Sequence, residues 1–282
     1  MSRNNQDRLG AATPKPADPP PPAITDSSLN FTVPTEFVEL PTQGRFYPED
    51  HPLRGKDCLE IRYMTAKDED ILSSKVLLKK GLAIDRFLNN IIIDKSINVD
   101  GLIVADKNAI LVAARITGYG AEYKTNVICP QCLLRTEYEF DLSLASVNIG
   151  GDPGEFDIEA GQEGTFFVTV PKTGARVEIQ PLYGKHEKQI IALAERRKKN
   201  KLPENSATTQ LQLIIRSVNG NAEAGYIKSF VNAMPAMDSR YIRKAVEQYN
   251  PSIDLSQEFD CAECDTRTVL EVPFTSEFLW PK

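Results

Sequence analysis

An α+β fold is predicted for this 282-residue chain: a helical N-terminal part, a four-cysteine ribbon split into two halves, and a hairpin-plus-helices module inserted between those halves. Three observations predict it. Two cysteine pairs share one spacing, Cys129-Pro130-Gln131-Cys132 and Cys261-Ala262-Glu263-Cys264. Apolar residues alternate with polar ones around them, the period of a half-buried strand. Apolar residues recur at helical spacing in the stretches before and between them.

Residues 1–34 read as a polar, Pro-rich tail containing the run Pro19-Pro20-Pro21-Pro22. Such a segment buries too little apolar surface to offset its ordering entropy, so it is a disordered leader or an arm that docks on a partner. Residues 35–118 form the N-terminal α+β part. Leu59, Ile61 and Tyr63 alternate with Glu60 and Arg62 as in a strand. Three helices follow. The first is capped by Thr65, carries Asp68 and Glu69 where the helix dipole favours anions, and ends at Gly81. The second places Ile84, Phe87, Leu88, Ile91 and Ile92 on one stripe. The third starts near Asp106, buries Ala109, Ile110, Ala113 and Ile116, and closes at Gly118 and Gly120.

Residues 119–145 are the first half of the ribbon. Tyr123, Thr125 and Val127 alternate before the first cysteine pair; Thr136, Tyr138, Phe140 and Leu142 alternate after it. Residues 146–254 are the inserted α-rich module. Its hairpin pairs Phe166, Val168 and Val170 with Val177 and Ile179 across Pro171-Lys172-Thr173-Gly174. Four helices follow: one from Lys185 to Lys199 with Ile190, Leu193 and Ala194 inward; one carrying Leu211, Ile214, Ile215 and Val218; one carrying Tyr226, Ile227 and Phe230; and one capped by Asp238 and stopped by Pro251. Residues 255–282 complete the ribbon, with Thr268, Leu270, Val272 and Phe274 in alternation. An aromatic end follows, Phe278-Leu279-Trp280, tucked onto the protein or offered to a partner.

The chemistry sits on the cysteines. Cys129, Cys132, Cys261 and Cys264 offer four thiolates, a full tetrahedral set for one structural zinc. Residues 133–260 separate the pairs, against roughly 15–20 in a compact ribbon, so the ribbon is split. Four protein ligands leave no open position for a reacting water, which disfavours a catalytic zinc. Free thiols, disulfides formed on oxidation and a redox C-x-x-C are the other readings. Cys58 stands outside the pairs and is expected to pack as a small hydrophobe.

Other classes find little support. His51 and His186 have no neighbouring nucleophile, and no phosphate-cradling glycine motif occurs. The chain therefore reads as a non-enzyme without a small-molecule substrate. No secretory leader is expected, nor a stretch approaching the ~20 apolar residues of a membrane span. Net charge is −6, with 33 basic and 39 acidic residues. That balance counts against nucleic acid as partner, although a zinc-ribbon nucleic-acid-binding protein is the alternative reading. The basic run Arg196-Arg197-Lys198-Lys199 with Lys201 is a solvated helix end, or a contact for an acidic partner or nucleic acid. A metal-dependent hydrolase with a split site would need ligands other than cysteine.

From Val38 to Gly118 the chain carries Glu39-Leu40-Pro41, Gly44-Arg45-Phe46-Tyr47-Pro48 and Tyr63-Met64-Thr65-Ala66-Lys67-Asp68-Glu69-Asp70. Leu77-Leu78-Lys79-Lys80-Gly81, Asp106-Lys107-Asn108-Ala109-Ile110-Leu111 and Arg115-Ile116-Thr117-Gly118-Tyr119-Gly120 follow in order. With the cysteine pairs and the Trp280-Pro281 ending, the chain resembles the baseplate hub and hub-assembly protein family of T-even-like contractile-tailed phages. The resemblance implies a role in tail assembly through contacts with other tail and baseplate proteins. It also implies a place in the virion baseplate after assembly in the host cytoplasm, and it carries no catalytic residues.

Overall fold

The computed structural model describes residues 33–79, 81–203, 205–273 and 278–279. The Pro-rich run, Lys80, Phe274 and the Trp280-Pro281-Lys282 ending lie outside the described residues. The described chain is a mixed helix-and-sheet protein whose sheets are small and antiparallel.

Strand β1 (Thr35–Glu39) pairs antiparallel with β2 (Cys58–Arg62), Val38 opposite Leu59. The loop between them is pinned to a later helix. Gly44 holds φ 66°, and a Cβ there would fall 2.3 Å from the Leu53 carbonyl oxygen, so only glycine fits. Tyr47 is fully buried, and its hydroxyl donates to the Asp106 carboxylate at 2.7 Å. The Thr42 backbone N–H and hydroxyl donate to the same carboxylate at 3.0 and 2.7 Å. Burial raises the pKa of Asp106, and these donors oppose the shift.

The first expected helix is two. Helix α1 (Ala66–Ser73) stops at Ser74, and α2 (Lys75–Lys79) precedes Gly81 at φ 65°. The Ser73 hydroxyl donates to the Asp70 carbonyl, a local bond that competes with helix continuation at the Ser73-Ser74 pair. Asp68 does more than complement a dipole. It is fully buried and accepts from both Arg62 guanidinium nitrogens (2.7 and 2.9 Å), from Asn90 (2.6 Å) and from the Thr65 N–H. Burial opposes its charge, but these donors prevail and hold its carboxyl down at about 2.

Helix α3 (Ala83–Ile91) buries Phe87, Leu88 and Ile91, as its spacing predicts. Helix α4 (Val104–Tyr119) begins two residues before Asp106 and is capped by Gly120 alone; Gly118 lies inside it. Of its expected core residues Ala109 and Ile110 are buried, while Ala113 and Ile116 are half-buried.

Strands β3 (Glu122–Ile128) and β4 (Arg135–Asp141) then form the first arm. Tyr123, Thr125 and Val127 face inward. Strand β5 (Ser146–Asn148) follows. Strands β6 (Ile158–Ala160), β7 (Phe166–Thr169) and β8 (Arg176–Ile179) come next, and the β7–β8 pairing sets Val168 opposite Val177.

Helix α5 (Gly184–Lys199) has its buried residues, Gly184 and His186, in its first turn. The Gly184 N–H donates to the Leu102 carbonyl, and the Val104 N–H to the Leu182 carbonyl, both at 2.8 Å. Lys107 lies between Asp85 and Glu187, at 3.4 and 2.7 Å. Leu193 and Ala194, expected to face inward, are exposed instead, because the helix overhangs the body beyond Ile190.

Helix α6 (Ser206–Ile214) ends where strand β9 (Ile215–Val218) begins. Ile215 and Val218 were expected on the helix; they instead complete a sheet of order β6-β7-β8-β9, with Val218 opposite Val177. Helix α7 (Ala224–Ala233) buries Ile227 and leaves Tyr226 exposed. Helix α8 (Ala236–Tyr249) has Pro235 as its N-cap residue, not Asp238. Asp238 lies in the first turn and accepts from the Lys172 and Thr173 N–H groups and the Thr173 hydroxyl, clasping the β7–β8 turn.

Strand β10 (Ser252–Asp254) pairs back with β5, Ser146 opposite Asp254. Strands β11 (Ser256–Asp260) and β12 (Arg267–Glu271) form the last arm. Two apolar clusters result. One joins β1, β2, α3, α4 and both arms; the other packs the four-stranded sheet against α6, α7 and α8. Phe278 and Leu279 are buried in the first, Phe278 edge-on to Tyr123 at 5.2 Å.

Candidate metal centre

Each cysteine pair turns the chain in the same way. The Leu133 N–H donates to the Cys129 carbonyl (2.9 Å) and the Cys129 N–H to the Leu134 carbonyl (3.0 Å). In the second pair Asp265 N–H donates to the Cys261 carbonyl (3.0 Å) and Cys261 N–H to the Thr266 carbonyl (3.0 Å). The residue after each pair is left-handed, Leu133 at φ 60° and Asp265 at φ 53°. Strand pairing runs up to both turns, ending at Ile128 opposite Arg135 and at Asp260 opposite Arg267.

Packing brings the two arms together. The Tyr138 ring meets Phe140 and Phe259 edge-on, each at 5.0 Å, and its hydroxyl donates to the Glu258 carbonyl at 3.0 Å. The Gln257 amide bonds the Asp141 backbone twice, donating to its carbonyl (2.7 Å) and accepting from its N–H (3.1 Å). Each of these bonds spans more than a hundred residues of chain.

The result is a cluster of four sulfurs, all within 4.8 Å of one another. Cys129 Sγ lies 3.7 Å from Cys264 Sγ, and Cys132 Sγ lies 3.8 Å from Cys261 Sγ. A disulfide needs about 2.05 Å, so these are free thiols. Four sulfurs each about 2.3 Å from one ion in a tetrahedron would stand about 3.8 Å apart. The donor set therefore fits a metal ion in both chemistry and spacing.

The surroundings favour thiolate at two of the four positions. The Cys132 and Gln131 backbone N–H groups lower the pKa of Cys129 to about 6. Thr266 lowers that of Cys264; its Oγ1 lies 3.2 Å from the sulfur. At Cys132 the Leu134 N–H favours the thiolate, but desolvation and the three neighbouring sulfurs prevail and push it up to about 12. Thr266 was not anticipated. The signal was a hydroxyl two residues after the second pair, where the first pair has Leu134.

The other sequence candidates lie elsewhere and stay apart. Cys58 is half-buried at the head of β2, not fully packed away, and is not in the cluster. His51 stacks on Tyr47 with ring centroids 4.2 Å apart, and its Nδ1 accepts the Leu53 N–H. His186 is buried; its Nδ1 accepts the Tyr183 N–H, and burial with Lys185 lowers its pKa to about 4. Glu69 accepts from the Tyr119 hydroxyl at 2.8 Å. The Arg196–Lys201 run sits at the overhanging end of α5.

No helix among the described residues is long and apolar enough to cross a membrane. No curated protein and no solved structure matches the chain. A family model described as T4 bacteriophage base plate protein matches residues 39–280. The match runs from Glu39-Leu40-Pro41 through both cysteine pairs to Trp280, and by it the chain belongs to the T4 bacteriophage base plate protein family.

Proposed function

We propose that this chain is a structural or assembly component of the hub region of a phage tail baseplate, acting through contacts with other tail proteins. In this reading it carries no catalysis. One zinc, held by Cys129, Cys132, Cys261 and Cys264, is structural. Zinc supplies four strong bonds to sulfur and no redox chemistry, so it fastens the arm that follows α4 to the arm that ends the chain. The ribbon is split, and residues 146–254 are inserted within it. The pairing of β5 with β10, at the entrance and exit of those residues, supports that division.

The observation that carries the reading is the family match across residues 39–280. A nucleic-acid role draws no comparable support, since the chain is acidic. The test is a phage carrying an early stop in this gene. The expected outcome is failure to complete contractile tails, rescued by the wild-type chain. Normal tails would refute the role, and density for the chain at the baseplate rim, away from its axis, would refute the hub placement. Elemental analysis should give one zinc per chain, and X-ray absorption an all-sulfur shell. A shell containing nitrogen or oxygen would overturn the ligand set.

A further inference from the structure

The two knuckles share one backbone but differ in what they show to solvent. The position after each pair requires only a left-handed residue, and Asp265 meets that requirement with a short polar side chain of the kind that tolerates it. Its counterpart is Leu133, which takes the same φ at greater steric cost and leaves its side chain 74% exposed. Leu134 follows, and Ile128 stands at the end of β3, 62% exposed. Folding of the knuckle does not need this apolar tip. On the two arms Lys124 pairs with Glu139 and Arg267 with Asp260, and the exposed carboxylates that remain, Glu137, Glu258, Glu263 and Asp265, outnumber Arg135.

The overhang of α5 is the counterpart with the charge reversed. Leu193 (42%) and Ala194 continue the stripe of Ile190 along the helix and are exposed, as is Leu202 (50%) just beyond it. Arg196, Lys198, Lys199 and Lys201 neighbour them in the chain, all exposed, and Glu195 is the one acid among the described residues 195–203. A helical end that buries so little is marginal in water, because helices of this length draw their stability from a buried face. The chain thus bears two exposed apolar patches of opposite sign at different places on its surface.

We infer that these patches dock on each other between copies: the acidic, leucine-tipped knuckle of one chain seats on the basic α5 overhang of the next. Such a contact is head-to-tail. It uses two different surfaces, so it propagates into a closed ring or an open filament, unlike a two-fold dimer that saturates itself. The occupant is a second copy of this chain because the charges are complementary and each patch supplies apolar area to cover the other. The inference is independent of the baseplate reading, since it concerns the purified chain alone.

Sedimentation of the full-length chain across a concentration series tests it. The expected result is concentration-dependent association at 50 mM salt, weakened at 500 mM as exposed charges are screened. A knuckle variant, Leu133→Asn with Leu134→Asn, and a helix variant, Lys198→Glu with Lys199→Glu, should each remain folded by near-ultraviolet circular dichroism. Each should lose association by about tenfold or more. Mixed in equal amounts, the two variants should form a dimer and nothing larger, because only one intact knuckle and one intact overhang can meet. A wild-type chain that stays monomeric at low salt would overturn the proposal. So would either variant associating like wild type, or a mixture that gives no dimer. A wild-type chain that associates only with added DNA would assign the basic overhang to nucleic acid instead.

Discussion

Leu133 and Asp265 do the same backbone work, and the difference between them is measurable. Asparagine enters the left-handed region more easily than leucine, so Leu133→Asn should hold or raise the stability of the monomer by up to ~1 kcal/mol. A urea titration reads this as an unchanged or higher midpoint; a clear loss would mean the leucine packs within its own chain. The four cluster cysteines should behave oppositely. Cys129→Ser or Cys261→Ser should abolish zinc retention and cost ~3 kcal/mol or more, because metal binding is coupled to folding. Cys58→Ser, outside the cluster, should leave the metal in place. Asp68 is a further anchor invisible as such in the sequence. Asp68→Asn should cost about 3 kcal/mol, since it leaves Arg62 without its buried partner. Retention of wild-type stability in Asp68→Asn would show that the pair contributes no net stability.

Among elements, legibility followed the strength of the period. Strand β3 buries one face over seven residues, and β4 alternates exposed with half-buried residues up to the buried Phe140, so their alternation could be read directly. Strands β5 and β10, three residues each, are too short to show a period and become strands only by pairing with one another. Strand β9 was misread because Leu211, Ile214, Ile215 and Val218 satisfy a helical spacing as well. The β8 edge, with Val177 awaiting a partner, decides against the helix. Val218 is fully buried in that pairing, and Val218→Ala should cost about 2 kcal/mol in thermal unfolding, whereas a helix-end valine would cost far less. Helix α5 shows the reverse case. Its period predicts a buried face, and among the described residues too little packs against the second half to cover Leu193 and Ala194.

At the scale of the whole molecule, the two apolar clusters share Tyr249 at their margins, and a polar group ties α5 to the first of them. Lys107 and Lys188 stand among Asp85, Asp100 and Glu187 where α5 leaves the N-terminal helices. On the proposed zinc reading, and because β5 and β10 are paired, replacing residues 149–251 with a short Gly-Ser linker should leave the two arms able to bind one zinc. Loss of zinc binding in that deletion would show that the arms depend on the second cluster. Acid should unfold the intact chain in two stages. His186 is held neutral, its pKa lowered from the usual 6.5 to about 4, so stability falls as pH drops through that window. Asp68, depressed to about 2, loses its contribution only below the ordinary carboxylate range. A titration of the melting temperature from pH 7 to pH 2 reads both stages, and His186→Gln should flatten the first.

The sequence by itself determined the chemistry of this protein: four thiols in two equal turns, strands that alternate and helices that carry stripes. These are local properties, set by residue type and by periods of two and 3.6 along the chain. What the tertiary structure alone decided is which distant groups meet. It brought Cys129 to Cys264, Asp106 to Thr42 and Tyr47, and β9 to β8, and it left the second half of α5 and Leu133 in solvent. Burial and pairing depend on what the rest of the chain places opposite a residue, and spacing along one segment carries no record of that.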